Sequence, residues 1–252
     1  MKLADLLSEG MELLGDGQTE ITSVAYDSRK VKPGALFFCI SGFKADGHTY
    51  AQAAVDAGAV ALVVTRRLDI PVPQVLVDDD RRAMALISRE FYGRPDEKLR
   101  MVGVTGTNGK TTTTYMIKSV LESAGIKTGL IGTIVNMIGQ QTLHTDRTTP
   151  ESPDLFALLR QMADEGCEAV VMEVSSHSLE LRRVEGITFD VAVFTNLTQD
   201  HMDFHVTFDN YLNAKKKLFY HAKSAAVNVD DASSGRIMEG IEGVQWLTYG
   251  IK

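Results

Sequence analysis

The residues with the plainest chemical reading are VGVTGTNGKTTTT, residues 102–114, where an apolar run meets a glycine turn and then a helix-forming stretch. Gly106 and Gly109 let the N–H groups of the turn face inward, the start of the following helix adds its positive end, and Lys110 adds a full charge. Thr111 places a hydroxyl where a phosphate-bound magnesium ion would sit. The strict pattern GxxxxGK[ST] puts Val104 where its first glycine should stand, so the strand before and the helix after carry the phosphate-loop reading. Glu173, closing the apolar run AVVMEV, is the natural metal partner on a neighbouring strand, because a carboxylate buried there needs a cation or hydrogen-bond donors. The segment DHMDFH, residues 200–205, sets His201 and His205 at a metal-like spacing. A zinc protease would need glutamate where Met202 stands, which leaves the segment as a candidate for other chemistry.

These groups must be positioned by the elements around them. The runs MVGVT, TGLIGTI, AVVMEV, VAVFTNL and AAVNV read as strands, and Lys110–Ser123, Asp154–Glu165 and Phe208–Tyr220 as helices. Short β-rich runs separated by amphipathic helices imply an α/β domain with a mostly parallel sheet covered on both faces. Such sheets bind ligands at the carboxyl ends of their strands, which is where Thr105–Thr112, Glu173–His177 and Asn196–His205 fall. A smaller α/β segment precedes it, with strands at SVAY, ALFFCI, AVALVV and QVLV and helices over Ala51–Ala57 and Arg82–Phe91. The polar stretch Gly93–Lys98 separates the two, giving expected domains at 1–98 and 99–252. The opening MKLADLLSEGMELL reads as an amphipathic helix without the features of a signal peptide.

With 252 residues, 23% charged and 44% hydrophobic, the chain is neither collagenous, nor a coiled coil, nor disordered. Its 26 Lys and Arg against 33 Asp and Glu give a net charge of −7, which argues against nucleic acid as a partner and requires any bound anion to be held by a local site. Cys39 and Cys167 stand apart in apolar surroundings and read as small core residues. No apolar run is long enough to span a bilayer, so a cytoplasmic protein without membrane insertion is expected.

Taken together, GTNGKTTT, EVSSH, TNLTQDHMDFH and YLNAK, in that order, resemble the Mur ligases. YDSRKVKPGALFFCISGFKADGHTY is similar to the uridine-nucleotide-binding domain of the same family, so the resemblance covers nearly the whole chain. EVSSHSL and HTDRTTPES point to the branch acting on UDP-MurNAc-L-Ala-D-Glu. The resemblance implies a reaction in which ATP phosphorylates a substrate carboxylate and the amine of a diamino acid attacks the acyl phosphate. It implies that ATP lies on Gly106, Thr107, Asn108, Gly109, Lys110, Thr111 and Thr112. Lys110, Glu173, His201 and Lys215 would be catalytic, with Mg2+ held by Thr111, Glu173, His201 and Lys215. Acceptor contacts would be Ser28, Phe43, Lys44 and Ala45 in the first domain and Thr148, Thr149, Ser175 and Arg183 in the second.

Lys215 is a special case. In AKKKLF it reads by itself as a solvated lysine, and only the match to YxxAK places it on the family's carbamylated lysine. Arg147 and Leu181 depart from residues that some relatives carry near the acceptor. In the family the central domain runs on and an amino-acid-binding domain follows, so the resemblance implies the front portion of a longer, monomeric ligase. Two other readings stay open: a phosphate-loop switch or kinase, although no Asn-Lys-x-Asp guanine motif is present, and a module that binds the UDP-muramyl ligand and ATP without joining anything.

Overall fold

The computed structural model describes residues 1–42, 45–200 and 202–251, which form two compact units, Met1–Gly93 and Arg94–Lys252. The first contains β1 (Glu12–Leu14), β2 (Ser23–Ala25), β3 (Ala35–Phe38), α1 (Ala51–Asp56), β4 (Ala59–Val64), β5 (Gln74–Leu76) and α2 (Asp80–Phe91). Its sheet runs β1-β5-β4-β3-β2, parallel except for β1 against β5. Alternation along the strands buries both faces. Leu36, Phe38, Ala61 and Val63 pack with Met84 and Ile87 of α2, whereas Phe37, Cys39, Leu62 and Val64 pack with Ala51 and Ala54 of α1. Asp79 caps α2 by accepting from the Arg82 N–H at 2.9 Å.

The N-terminal helix expected from sequence does not form. Leu3–Leu6 make one 3-10 turn with Leu3 and Leu6 buried, Gly10 turns the chain at φ +84°, and Glu12–Leu14 pair with β5 as an edge strand. The helical repeat stops at Leu7, which is already extended at φ −89° and ψ 146°, and the leucines beyond Gly10 are used by the sheet.

The second unit opens at Arg94, and the polar stretch read as a separator contributes a 3-10 turn, Pro95–Lys98, with Pro95 and Asp96 buried. Its elements are β6 (Arg100–Thr105), α3 (Lys110–Ser123), β7 (Thr128–Ile131), β8 (Asn136–Ile138), β9 (Gln141–Leu143), α4 (Ser152–Asp164), β10 (Ala169–Glu173), α5 (Ser176–Glu180), β11 (Phe189–Phe194), α6 (Met202–His205), α7 (Phe208–Lys216), β12 (Ala222–Asn228), α8 (Ser234–Met238) and β13 (Gln245–Tyr249). The eight strands lie in the order β13-β12-β11-β6-β10-β7-β8-β9, parallel through β7 and antiparallel at the β8–β9 hairpin.

β6 sits between β10 and β11, so their carboxyl ends deliver three loops to one place. Val102, Val104, Val171 and Val193 on one face pack against Ile117 and Leu121 of α3, which fixes that helix over the strand that feeds it. The helix read over Phe208–Tyr220 is α7 followed by a tighter 3-10 turn over Lys217–His221. Trp246 of β13 stacks on Phe219 with ring centroids 5.7 Å apart. Among the described residues no helix is long and apolar enough to cross a membrane.

Candidate nucleotide and acceptor site

The loop after β6 is held open by the strand beside it. Gly106 has φ +149° and a Cβ there would fall 1.9 Å from Thr195 Oγ1, so only glycine allows the loop to lie this close to β11. Gly109, at φ +84°, is the residue before α3 and turns its first N–H groups toward the loop. Thr195 Oγ1 donates to Asn108 O at 2.7 Å, Asn196 Oδ1 accepts from the Asn108 N–H at 3.0 Å, and Asn196 O accepts from the Thr107 N–H at 2.9 Å. The loop is thus shaped by residues about ninety positions away.

Lys110 folds back over this cradle, its Nζ donating to Gly106 O at 2.9 Å and Thr107 O at 2.8 Å. Burial pushes the Lys110 amine below its ordinary pKa, opposed by the charges of Glu173 and Asp200. The loop carbonyls are therefore satisfied by the same amine that would neutralise a phosphate.

Glu173, 1% exposed at the end of β10, is held by donors. Thr111 Oγ1 donates to its Oε1 at 2.9 Å, the Thr133 N–H to Oε1 at 3.0 Å and Thr133 Oγ1 to Oε2 at 3.1 Å. Thr133 was not read from sequence, because a lone hydroxyl after a strand has no spacing signature. A hydroxyl and a carboxylate oxygen in contact, beside a phosphate cradle, form the hard-oxygen donor set that magnesium takes. His201 lies outside the described residues. Among the described residues no group of three His, Cys, Asp or Glu side chains is gathered to hold a metal ion.

Lys215 is buried, 2% exposed, contrary to what a charge run suggests. Its Nζ donates to Gly106 O at 2.8 Å and lies 4.5 Å from the centroid of the Tyr211 ring. Burial, and then the nearby charge of Lys110, pull its pKa down to about 7, against the opposing effect of Asp200. Tyr211 OH lies 3.1 Å from Thr107 Oγ1, so the same ring supports the lysine and the loop. His205 turns to Ser176, with Nε2 2.9 Å from its hydroxyl.

The acceptor residues expected in this unit are brought together. Thr149 Oγ1 donates to Glu173 O at 2.8 Å and accepts from the Ser175 N–H at 3.3 Å. Thr148 Oγ1 lies 3.0 Å from Thr133 Oγ1, and Arg183 Nη1 donates to Thr149 O at 3.0 Å. In the first unit Ser28 and Ala45 line one cleft of about 470 Å3 with Tyr26, Arg29, Ile40 and Tyr50. Phe43 and Lys44 lie outside the described residues. Asp46 anchors the cleft's border by accepting from Arg66 Nη2 at 2.6 Å and pairing with the buried His48 Nδ1 at 2.6 Å.

A strand, a glycine turn with a lysine and a helix N-terminus, at the carboxyl ends of three adjacent parallel strands, define a phosphate-loop nucleotide domain. Residues 104–252 match the Mur ligase middle domain, and residues 20–92 match the model described as Mur ligase family, catalytic domain. The chain belongs to the Mur ligase family. A UDP-N-acetylmuramoyl-L-alanyl-D-glutamate–2,6-diaminopimelate ligase of Caldanaerobacter subterraneus subsp. tengcongensis is 52% identical over all of this chain and 53% of its own length. The ligase of the same name from Geobacillus thermodenitrificans is 49% identical over all of this chain and 54% of its own. A solved structure of an enzyme of that name superposes with a TM-score of 0.88 at 28% identity, covering all of this chain and 53% of that one. MurF from Acinetobacter baumannii shares the fold at a TM-score of 0.62 and 24% identity, over 92% of this chain and 49% of that one. The chain spans about half the length of the curated relatives it matches.

Proposed function

We propose that the protein carrying this chain is an ATP-dependent amide ligase that joins a diamino acid, 2,6-diaminopimelate in the relatives' names, to UDP-MurNAc-L-Ala-D-Glu in the cytoplasm, as a monomer. The observation that carries it is the meeting of the Lys110 loop, the Thr111–Glu173 oxygen pair and the Thr148–Thr149–Ser175–Arg183 group around the ends of β6 and β10. The first unit takes the uridine nucleotide along Ser28 and the 43–45 stretch, and the second takes ATP on residues 106–112.

In this reading Lys110 leaves the loop carbonyls and follows the transferring phosphate, a task of positioning and charge neutralisation. Magnesium, held by Thr111 and Glu173 and by His201 and Lys215, would screen the phosphate charge. Lys215 serves that set as a carbamate: its neutral amine adds to CO2 with loss of one proton and gains an anionic oxygen. A buried amine with a pKa about 7 has the neutral form needed for that addition near neutrality, which supports the assignment. Thr149 and Arg183 orient the acceptor carboxylate for phosphorylation, and the amine of the diamino acid then displaces phosphate.

The test is an ATP-dependent ligation assay on the intact protein, with UDP-MurNAc-L-Ala-D-Glu and a panel of amines. ADP and one amide product should form in equal amounts with a diamino acid. ATP turnover that does not depend on the muramyl acceptor would refute the reading.

A further inference from the structure

Glu151, at the residue before α4, is a carboxylate with an 8% exposed side chain placed between two guanidinium groups. Arg183 Nη2 pairs with its Oε1 at 2.7 Å, and Arg147 Nη1 donates to the same oxygen. Two guanidinium groups thus share one carboxylate oxygen at the start of α4. The two arginines differ in what they have left to give. Arg183 is 11% exposed and also donates to Thr149 O, so it is largely engaged in building the site. Arg147 is 49% exposed and directly precedes Thr148, whose hydroxyl lies 3.0 Å from that of Thr133, which in turn donates to Glu173. A guanidinium has five donors in a planar fork, so one edge can rest on Glu151 while another donates to a second carboxylate.

We propose that Arg147 reads a carboxylate at the glutamyl end of the acceptor and that Glu151 is the positioning residue that holds it ready. This deepens the acceptor reading above and rests on it. A free arginine would have to give up its rotamer freedom on binding, and the buried carboxylate removes much of that loss beforehand. The same carboxylate fixes Arg183 against Thr149 O, so one residue aligns both cations along the Thr148–Thr149 segment.

The test is calorimetric titration of the full 252-residue chain with UDP-MurNAc-L-Ala-D-Glu and with the same molecule bearing amides at both glutamyl carboxylates. The unsubstituted chain should prefer the acid by about tenfold or more, the scale of a hydrogen bond between charged groups. Arg147→Gln should reduce that preference at least about threefold, the remainder being the share of Arg183, while weakening binding of the diamide far less, a pattern that general loosening of the fold would not give. Glu151→Gln should reduce the preference at least about threefold. Because Glu151 is buried, Arg147→Gln, at an exposed position, decides the matter if the Glu151 variant does not fold. Unaltered preference in Arg147→Gln overturns the inference, and loss of preference there with none in a folded Glu151→Gln overturns the positioning role. Equal binding of acid and diamide by the unsubstituted chain defeats this inference alone, whereas binding of neither defeats the acceptor reading with it.

Discussion

Replacing Gly106 by alanine should damage the nucleotide loop by an amount that can be worked out. At φ +149° an L-residue is strained, which costs about 1–3 kcal/mol. The added Cβ would lie 1.9 Å from Thr195 Oγ1 and 3.1 Å from Asn196 N and O, so the threonine hydroxyl must move. Moving it breaks the 2.7 Å bond to Asn108 O in a site where Thr195 is 7% exposed, a further cost of about 1–3 kcal/mol. The sum, about 2–6 kcal/mol, corresponds to a fall in melting temperature of roughly 5–20 °C for a unit of this size. Trp246, the only tryptophan, lies in β13, so its fluorescence during urea unfolding follows the second unit. In a Thr195→Ala background the hydroxyl is gone, and the cost of Gly106→Ala should drop to the backbone share, about 1–3 kcal/mol. An unchanged unfolding midpoint for Gly106→Ala, or the same cost with and without the Thr195 hydroxyl, would refute the reasoning.

Lys110→Ala in the intact protein should abolish ligation, an effect of about 3–4 kcal/mol on the barrier, while UDP-muramyl binding measured by calorimetry stays nearly intact. Lys215→Ala should weaken activity, with partial recovery in acetate, whereas Lys216→Ala, at a half-buried position, should be nearly silent in the same assay. Tyr211→Phe keeps the ring beneath Lys215 but removes the hydroxyl 3.1 Å from Thr107 Oγ1, and should cost about 0.5–1.5 kcal/mol in urea denaturation. The Arg29 guanidinium holds the Asp27 carboxyl down at about 2 in the folded chain, from an ordinary value of 3.8. A depressed folded pKa gives stability that is present above 3.8 and lost as pH falls through about 2, so the destabilisation of Asp27→Ala, about 0.5–1 kcal/mol at neutral pH, should fade over that window in acid titration of the melting temperature.

What the sequence disclosed depended on how local each signal was. The loop and α3 could be read to the residue, since strand, glycine turn, lysine and helix follow one another within residues 100–123. Glu173 and its donor Thr111 could be read because a carboxylate closing an apolar strand and a hydroxyl after the loop lysine are each marked by their place. The further donor Thr133 could not, because a lone hydroxyl after a strand carries no such mark. Thr195 was within reach of the rule that ligands gather at strand ends, since it directly follows β11, yet nothing in TNL marks a hydroxyl that wedges against Gly106. Lys215 looked solvated because three lysines in a row usually are, and only the packing of α7 shows which of them is buried. The β8–β9 hairpin went unread because each strand has three residues and its turn offers only Gly139 as a cue. At the N-terminus the leucine spacing suited a helix, and it was the pairing of residues 12–14 with residues 74–76 that drew them into the sheet.

The walls of the phosphate cradle have a consequence for how the protein acquires its shape. Thr107 meets Thr198 across 91 positions, Asn108 meets Asn196 across 88, and Lys215 reaches Gly106 across 109. Contacts of such sequence separation close large loops of chain before they return any free energy, and they slow the route to the native state. Residues 106–109 can form a turn early, but the shape that would receive a phosphate is reached only when β11 and α7 have docked. On a ribosome, a chain that has not yet delivered residue 215 would hold the motif without the shape that the later contacts give it.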